Sequence, residues 1–198
     1  ILLEKNEKLG KKLYITGKGR CNITNSGDME ELFANVMTNS KFLYSAFYGY
    51  DNQNVIEFFE KEGLALKNER GNRIFPVSDH SSDVINTLQR ALKKAGVEIK
   101  LYTEADKILF EEREAVEELG KKEAHFIAKG VQLKSGLVDG KKIVPADAVI
   151  IATGGFSYQA TGSTGDGYRF AEEMGHTYIG TEHIVGGLLR TEDSIAAM

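Results

Sequence analysis

The 198-residue sequence contains one cysteine, Cys21. A single thiol cannot close an internal disulfide or form a dithiol redox pair, so a disulfide scaffold and redox-active disulfide chemistry are excluded within the chain. Long hydrophobic runs are missing too: no stretch approaches the roughly 20 apolar residues a bilayer requires. The amino-terminal ILLEKNEKLGKK also lacks the charged-then-apolar order of a secretion signal. Nor is there an excess of positive charge. With 25 Lys and Arg against 29 Asp and Glu, the net charge is −4, which offers no electrostatic footprint for nucleic acid or an anionic membrane surface. The four histidines, His80, His125, His176 and His183, are scattered without paired cysteines, which argues against a zinc site. These absences lead to the expectation of a reducing, cytoplasmic setting and small-molecule chemistry. A hydrophobic fraction of 41% is enough to bury a sizeable core.

The chain opens on Ile1-Leu2-Leu3-Glu4, an apolar run ending in an acid, as though a strand were entered midway. A preceding segment is therefore expected. Residues 10–28, GKKLYITGKGRCNITNSGD, are too rich in Gly and Asn for a stable helix and read as a long loop. Helices are expected within 29–48 and over 52–62, before Gly63. Pro76 biases its predecessor towards extended backbone, so 74–77 reads as extended, with Ser78 and Asp79 offered as helix caps.

From Ser81 to Ala95, an apolar stripe of Val84, Leu88, Ala91, Leu92 and Ala95 predicts an amphipathic helix stopped by Gly96. It feeds VEIKLYT at 97–103, giving half of a βαβ unit. The stretches HFIAKGVQLKSG and KKIVPADAVIIATGG, turning near Asp139-Gly140, predict a small antiparallel meander. The last strand, 148–152, is apolar on both faces and expected to be buried. The charge run EEREAVEEL at 111–119 reads as a solvated stretch at the meander's edge, and a helix is expected over 167–174, ended by Gly175.

Several residues invite chemistry. An acid at the end of a strand, as Glu4 is, can accept hydrogen bonds from ribose hydroxyls in a dinucleotide-binding fold. No GxGxxG stands upstream of it, and by itself Glu4 reads first as a solvated charge after a strand. Thr153-Gly154-Gly155 lets backbone amides approach a ligand closely because glycine has no Cβ. In GSTGDG at 162–167, Asp166 is placed to cap the following helix. Cys21, flanked by Lys18 and Arg20, invites a nucleophile reading, but no histidine is spaced as its base and an inert small residue is the simpler account.

Three segments together, GKGRCNITN at 17–25, RIFPVSDHSSDV at 73–84 and ATGGFSYQATGSTGDGYRFAEEMGH at 152–176, resemble the bacterial NAD(P)/FAD-dependent oxidoreductases. That family includes aminoacetone-oxidase-like and bile-acid-reductase-like flavoproteins. The last segment is also similar to the ATGG and TGDG elements of fumarate reductase and aspartate oxidase flavoproteins. The resemblance implies an α/β fold in which 1–180 form a partial, Rossmann-like FAD-binding domain carrying the meander. Residues 181–198 would then begin an inserted substrate domain, although the prolines expected there are missing.

Glu4, with the adjoining Lys5, then resembles the ribose-binding acid and its neighbour. Arg20, Cys21, Asn22 and Thr24 resemble the stretch beneath the flavin. Ala105 and Asp106 resemble the adenine contact, although many relatives carry an apolar residue at the position of Asp106. Thr153, Gly154 and Gly155 resemble one flavin-side turn, and Thr164, Gly165 and Asp166 the second. The family's first strand with its GxGxxG turn and its carboxy-terminal return have no counterpart in the 198 residues.

The implied activity is FAD-dependent hydride transfer to or from a small molecule, with NAD(P)H as electron donor and no nucleic-acid or membrane partner. No catalytic side chain and no metal site is assigned. The alternative is a non-enzymatic fragment that does not hold FAD and self-associates into a homo-oligomer through an exposed sheet edge.

Overall fold

The structure is a computed structural model and describes residues 1–37, 40–113, 117–118, 121–122, 125–156 and 158–174. In chain order the elements are β1 (Leu2–Leu3), α1 (Lys11–Ile15), β2 (Thr24–Asn25), α2 (Met29–Ala34), α3 (Tyr44–Gly49), α4 (Asn52–Lys61), β3 (Leu66–Glu69) and β4 (Arg73–Pro76). There follow α5 (Ser81–Lys94), β5 (Ile99–Lys100), β6 (Glu104–Arg113), β7 (Glu117–Glu118), β8 (Lys121–Lys122), β9 (His125–Ser135), β10 (Ile143–Pro145) and α6 (Asp166–Glu173). The chain divides into two compact units, one of Ile1–Lys8 with everything from Ile99 onward, the other of Leu9–Glu98.

In the first unit β1 and β5 pair in parallel, Leu2 opposite Ile99 and Leu3 opposite Lys100. A parallel pair cannot be closed by a tight turn, and residues 9–98 supply the long crossover. The ladder runs past the strands: the Glu4 amide donates to the Lys100 carbonyl at 2.9 Å, and the Thr103 amide to the Glu4 carbonyl at 2.9 Å. Next to it, β6, β9 and β10 form the antiparallel meander with β9 in the middle. Its inward residues Val131, Leu133, Val138 and Val144 make a core packed against Leu3, Ala105 and Val149. Gly130 allows β10 to sit close: at φ 144°, a Cβ there would lie 2.2 Å from the Val144 carbonyl oxygen.

The second unit packs Cys21, Phe59, Leu64 and Val84 into a core with Leu13, Ile23, Val55, Phe58, Leu66 and Leu88. Helix α4 starts with a capping box, the Asp51 carboxylate accepting from the Asn54 amide at 2.8 Å while the Asn54 side chain accepts from the Asp51 amide at 2.9 Å. Helix α5 follows its apolar stripe, with Val84 and Ile85 fully buried and Gly96 at φ 74° just beyond the end. Strands β2, β4 and β3 form an antiparallel sheet with β4 central, so 74–77 is extended over most of its length, as Pro76 predicts.

Several expectations are corrected. The 10–28 loop contains α1 and a 3-10 turn over Thr16–Gly19, because Leu13 finds a core to pack against and local glycine content then loses to burial. Asp79 does not cap α5. The N-cap is His80, without a side-chain bond, and the Asp79 carboxylate is taken by Lys67 and Arg20. Residues 97–103 contribute only the two-residue β5.

Residues 148–152 form no strand and are not buried, Ile150 being 67% exposed. An all-apolar strand is buried only between neighbours, and none pairs with it among the described residues. Helix α6 begins one residue earlier than expected and ends at Glu173, while Gly175 and the tail 181–198 lie outside the described residues. Among the described residues no helix is long and apolar enough to cross a membrane.

Candidate functional site

At the carboxyl end of β1 the chain presents Glu4, Lys5 and Asn6 in succession, and each is engaged. Oε1 of Glu4 accepts from the Asn6 amide at 2.8 Å and from Asn6 Nδ2 at 2.7 Å, a local turn closed by side chains. Oε2 takes no hydrogen bond among the described residues. The Asn6 carboxamide also donates to the Thr161 carbonyl at 3.3 Å, tying β1 to the loop before α6. Lys5 reaches the same loop, with Nζ 2.5 Å from Thr164 Oγ1 and 2.7 Å from Asp166 Oδ2. Thr164 in turn donates to Asp166 Oδ2 at 2.9 Å.

Burial raises the Asp166 carboxyl, but the hydrogen bonds from Lys5 and Thr164 and the charges of Lys5 and Arg169 outweigh it and hold the group below its ordinary range. Gly165 rather than Asp166 occupies the N-cap of α6, so the expected side-chain cap is not made. Asp166 acts instead as an acidic first-turn residue, favoured by the helix dipole.

Lys5, Asn6, Thr164 and Asp166 line an open cleft of about 550 Å³ together with Gln159, Ala160, Gly162 and the Glu104–Lys134 ion pair, which spans 3.0 Å. The wall therefore offers acceptors and donors in alternation rather than one sign of charge. Asn6, Gln159, Glu104 and Lys134 were not singled out by sequence reasoning. For Asn6 a signal existed: a carboxamide just after a strand end commonly closes a turn.

The turn 153–155 lies in the same unit. Gly154 sits at φ 72°, and the Thr153 hydroxyl is buried without a hydrogen-bond partner among the described residues. Phe156 stacks on Tyr168, ring centroids 5.1 Å apart and ring planes nearly parallel, and covers Gly165, where a Cβ would meet the ring at 2.4 Å. Ala105 packs into the meander core, and a register shift at Asp106 breaks the β6–β9 ladder. The Asp106 carbonyl is taken by Arg169 and its carboxylate accepts from Gln132 at 3.1 Å. The carbonyl and the carboxylate of Asp106 are thus both engaged within the chain.

Arg20, Cys21, Asn22 and Thr24 belong to the second unit. Arg20 makes a bidentate pair with Glu69 at 2.8 and 3.0 Å, bonds Asp79 at 3.0 Å and lies 4.0 Å over the Phe75 ring. The Glu69 hydrogen bond is the leading reason its guanidinium stays protonated beyond its ordinary range. Cys21 is 2% exposed, and burial pushes its thiol up despite a bond with Thr16. A raised thiol is a poor nucleophile, in keeping with the inert reading. Asn22 is exposed, its Nδ2 3.5 Å from the Thr24 carbonyl, and Thr24 pairs with Ile74 in the sheet.

Comparison with known proteins gives these features a family. The chain is 35% identical over 184 residues to the 3-dehydro-bile acid delta(4,6)-reductase of Clostridium scindens, covering 89% of this chain and 37% of that protein. It is 27% identical over 181 residues to the ribosomal RNA dihydrouridine synthase of Escherichia coli, covering 91% and 40%, and 26% over 175 residues to that of Haemophilus influenzae, covering 88% and 39%. The chain thus spans about two-fifths of the length of these relatives. The family described as the HI0933-like protein Rossmann domain matches residues 1–193, a span that takes in the β1–β5 parallel pair, the meander and the Thr164–Asp166 loop. With nearly its whole length matched, the chain belongs to the HI0933-like Rossmann-domain family.

Proposed function

We propose that this chain is the FAD-holding part of a reductase that adds hydrogen across a carbon–carbon double bond conjugated to a carbonyl. The carrying observation is the donor and acceptor set at the end of β1. Glu4 and Asp166 each have one oxygen anchored by the chain's own donors and a second that takes no hydrogen bond among the described residues, an arrangement suited to a ligand rich in hydroxyl groups. The orphaned Thr153 hydroxyl beside the Gly154 turn adds a buried polar atom that still lacks a partner. These residues fit the sugar and ribityl hydroxyls of FAD. Glu4 and Asp166 would hold them, with Thr153 and Gly154 near the turn.

Bound flavin supplies hydride chemistry, and the protein supplies orientation and electrostatics. The reductase direction and the substrate class come from the relatives. A delta(4,6)-reductase acting on a 3-dehydro bile acid and an enzyme forming dihydrouridine both saturate a double bond conjugated to a carbonyl. Each such step adds one hydride and one proton, and NAD(P)H is the proposed source of the hydride. A small molecule is favoured over RNA here by the net charge of −4 and by the greater identity to the bile acid enzyme.

A second reading, a self-associating chain that does not hold FAD, is favoured by the run 148–152, which pairs with no strand among the described residues and leaves Ile150 67% exposed while Val149 packs on the meander core. Incubation with excess FAD, desalting and a visible spectrum separates the two. Retained flavin absorption, bleached by NADH or NADPH without oxygen and restored by a 3-oxo-Δ4 steroid, supports the first. A colourless protein that elutes as an oligomer overturns it in favour of the second.

A further inference from the structure

The Lys5–Thr164–Asp166 triad does more than join two segments. Thr164 accepts from Lys5 and donates to Asp166, so Asp166 Oδ2 receives two hydrogen bonds, at 2.7 and 2.9 Å, from groups that are themselves linked. Two donors converging on one oxygen set the rotation of a carboxylate. Oδ1 takes no hydrogen bond among the described residues, and Arg169 of the same helix lies 3.9 Å from it.

The loop has no slack at this point. Gly162, at φ 101°, lies so close to β1 that a Cβ would meet Asn6 Nδ2 at 2.6 Å and Lys5 Cε at 3.3 Å. A side chain at 162 would therefore have to displace the Asn6 carboxamide and crowd the Lys5 stem. The charged groups around Asp166 are Lys5 from the turn just after β1, Arg169 from its own helix, and the mutually paired Glu104 and Lys134 along the cleft. Lys5 is the one that touches the carboxylate at hydrogen-bond distance.

We infer that Lys5 is a positioning residue: with Thr164 it fixes the rotation of the Asp166 carboxylate and so the direction in which Oδ1 is offered to a ligand hydroxyl. The inference rests on the flavin reading only for the identity of that ligand. Its consequences for protonation follow from opposing forces. Burial favours the neutral acid, and the hydrogen bond from Lys5 is the largest influence opposing it.

The test uses two variants, Lys5→Met, which keeps the apolar stem, and Lys5→Arg, which restores a cation. Carbon-13 NMR titration of the Asp166 carboxyl in the ligand-free protein is expected to show its midpoint moving to higher pH in Lys5→Met and returning towards the wild type in Lys5→Arg. FAD affinity, measured by flavin fluorescence, is expected to fall about tenfold in Lys5→Met, with its loss on acidification also moved to higher pH, and to recover in Lys5→Arg. An Asp166 midpoint unchanged in Lys5→Met, or an FAD affinity indifferent to the substitution, would overturn the inference. Should the wild type bind no FAD while the titration responds as described, the flavin reading fails and the positioning role stands.

Discussion

Gly130 and Gly140 both adopt positive φ, at 144° and 73°, yet their surroundings differ completely. A Cβ on Gly140 meets nothing within 4 Å, whereas on Gly130 it meets the backbone of Val144 and Pro145, which cannot swing aside. Gly140→Ala is expected to cost about 1 kcal/mol, the ordinary penalty of left-handed backbone. Gly130→Ala should cost about 3 kcal/mol or more as β10 is wedged off β9, and urea unfolding of the two variants measures the gap. Cys21 makes a second prediction at this scale. Because burial excludes reagent and raises the thiol, iodoacetamide should label native protein far more slowly than urea-unfolded protein. Equal rates would show that the 16–22 loop opens freely.

Among the elements, α5 has an unused opportunity at its start. His80 has extended backbone and makes no side-chain cap bond, so His80→Ser is expected to raise stability by about 1 kcal/mol, read as a higher unfolding temperature. The sheet β2–β4–β3 carries a charge network in which Arg20 and Lys67 bridge Glu69 and Asp79. Glu69 is held below its ordinary value chiefly by the Arg20 hydrogen bond, and Asp79 chiefly by that of Lys67. A depressed carboxylate stabilises the fold fully above its unfolded value and loses that contribution as pH falls through its folded value. The unfolding temperature should therefore drop below about pH 4, and Asp79→Asn should flatten the drop. An unchanged acid limb in that variant would remove the network from the stability of this unit.

For the molecule as a whole, the proposed cofactor couples to folding. A ligand that binds only the folded state stabilises by about 2.7 kcal/mol at a hundred times its dissociation constant. FAD at that level is expected to raise the calorimetric unfolding temperature, and AMP, which shares the ribose but lacks the ribityl chain, should do so less. Identical scans with and without FAD would count against the cofactor reading independently of colour.

Short-range pattern determined a good deal. The stripe of α5, the strand period of the meander and the acid ending β1 are all settled within about fifteen residues of chain, where helix and strand periodicity act. What pattern could not reach was partner choice. Lys5 and Asp166 stand 161 residues apart, and Arg20 and Asp79 stand 59 apart, so only folding decides that the first pair builds a cleft while the second spends Asp79 on a network instead of a helix cap. The same holds for burial. Residues 148–152 carry the composition of a central strand, but burial depends on neighbours, and α1 forms in a glycine-rich stretch because Leu13 meets a core. Propensity is local and weak, whereas packing and ion pairing are decided by what the rest of the chain brings alongside.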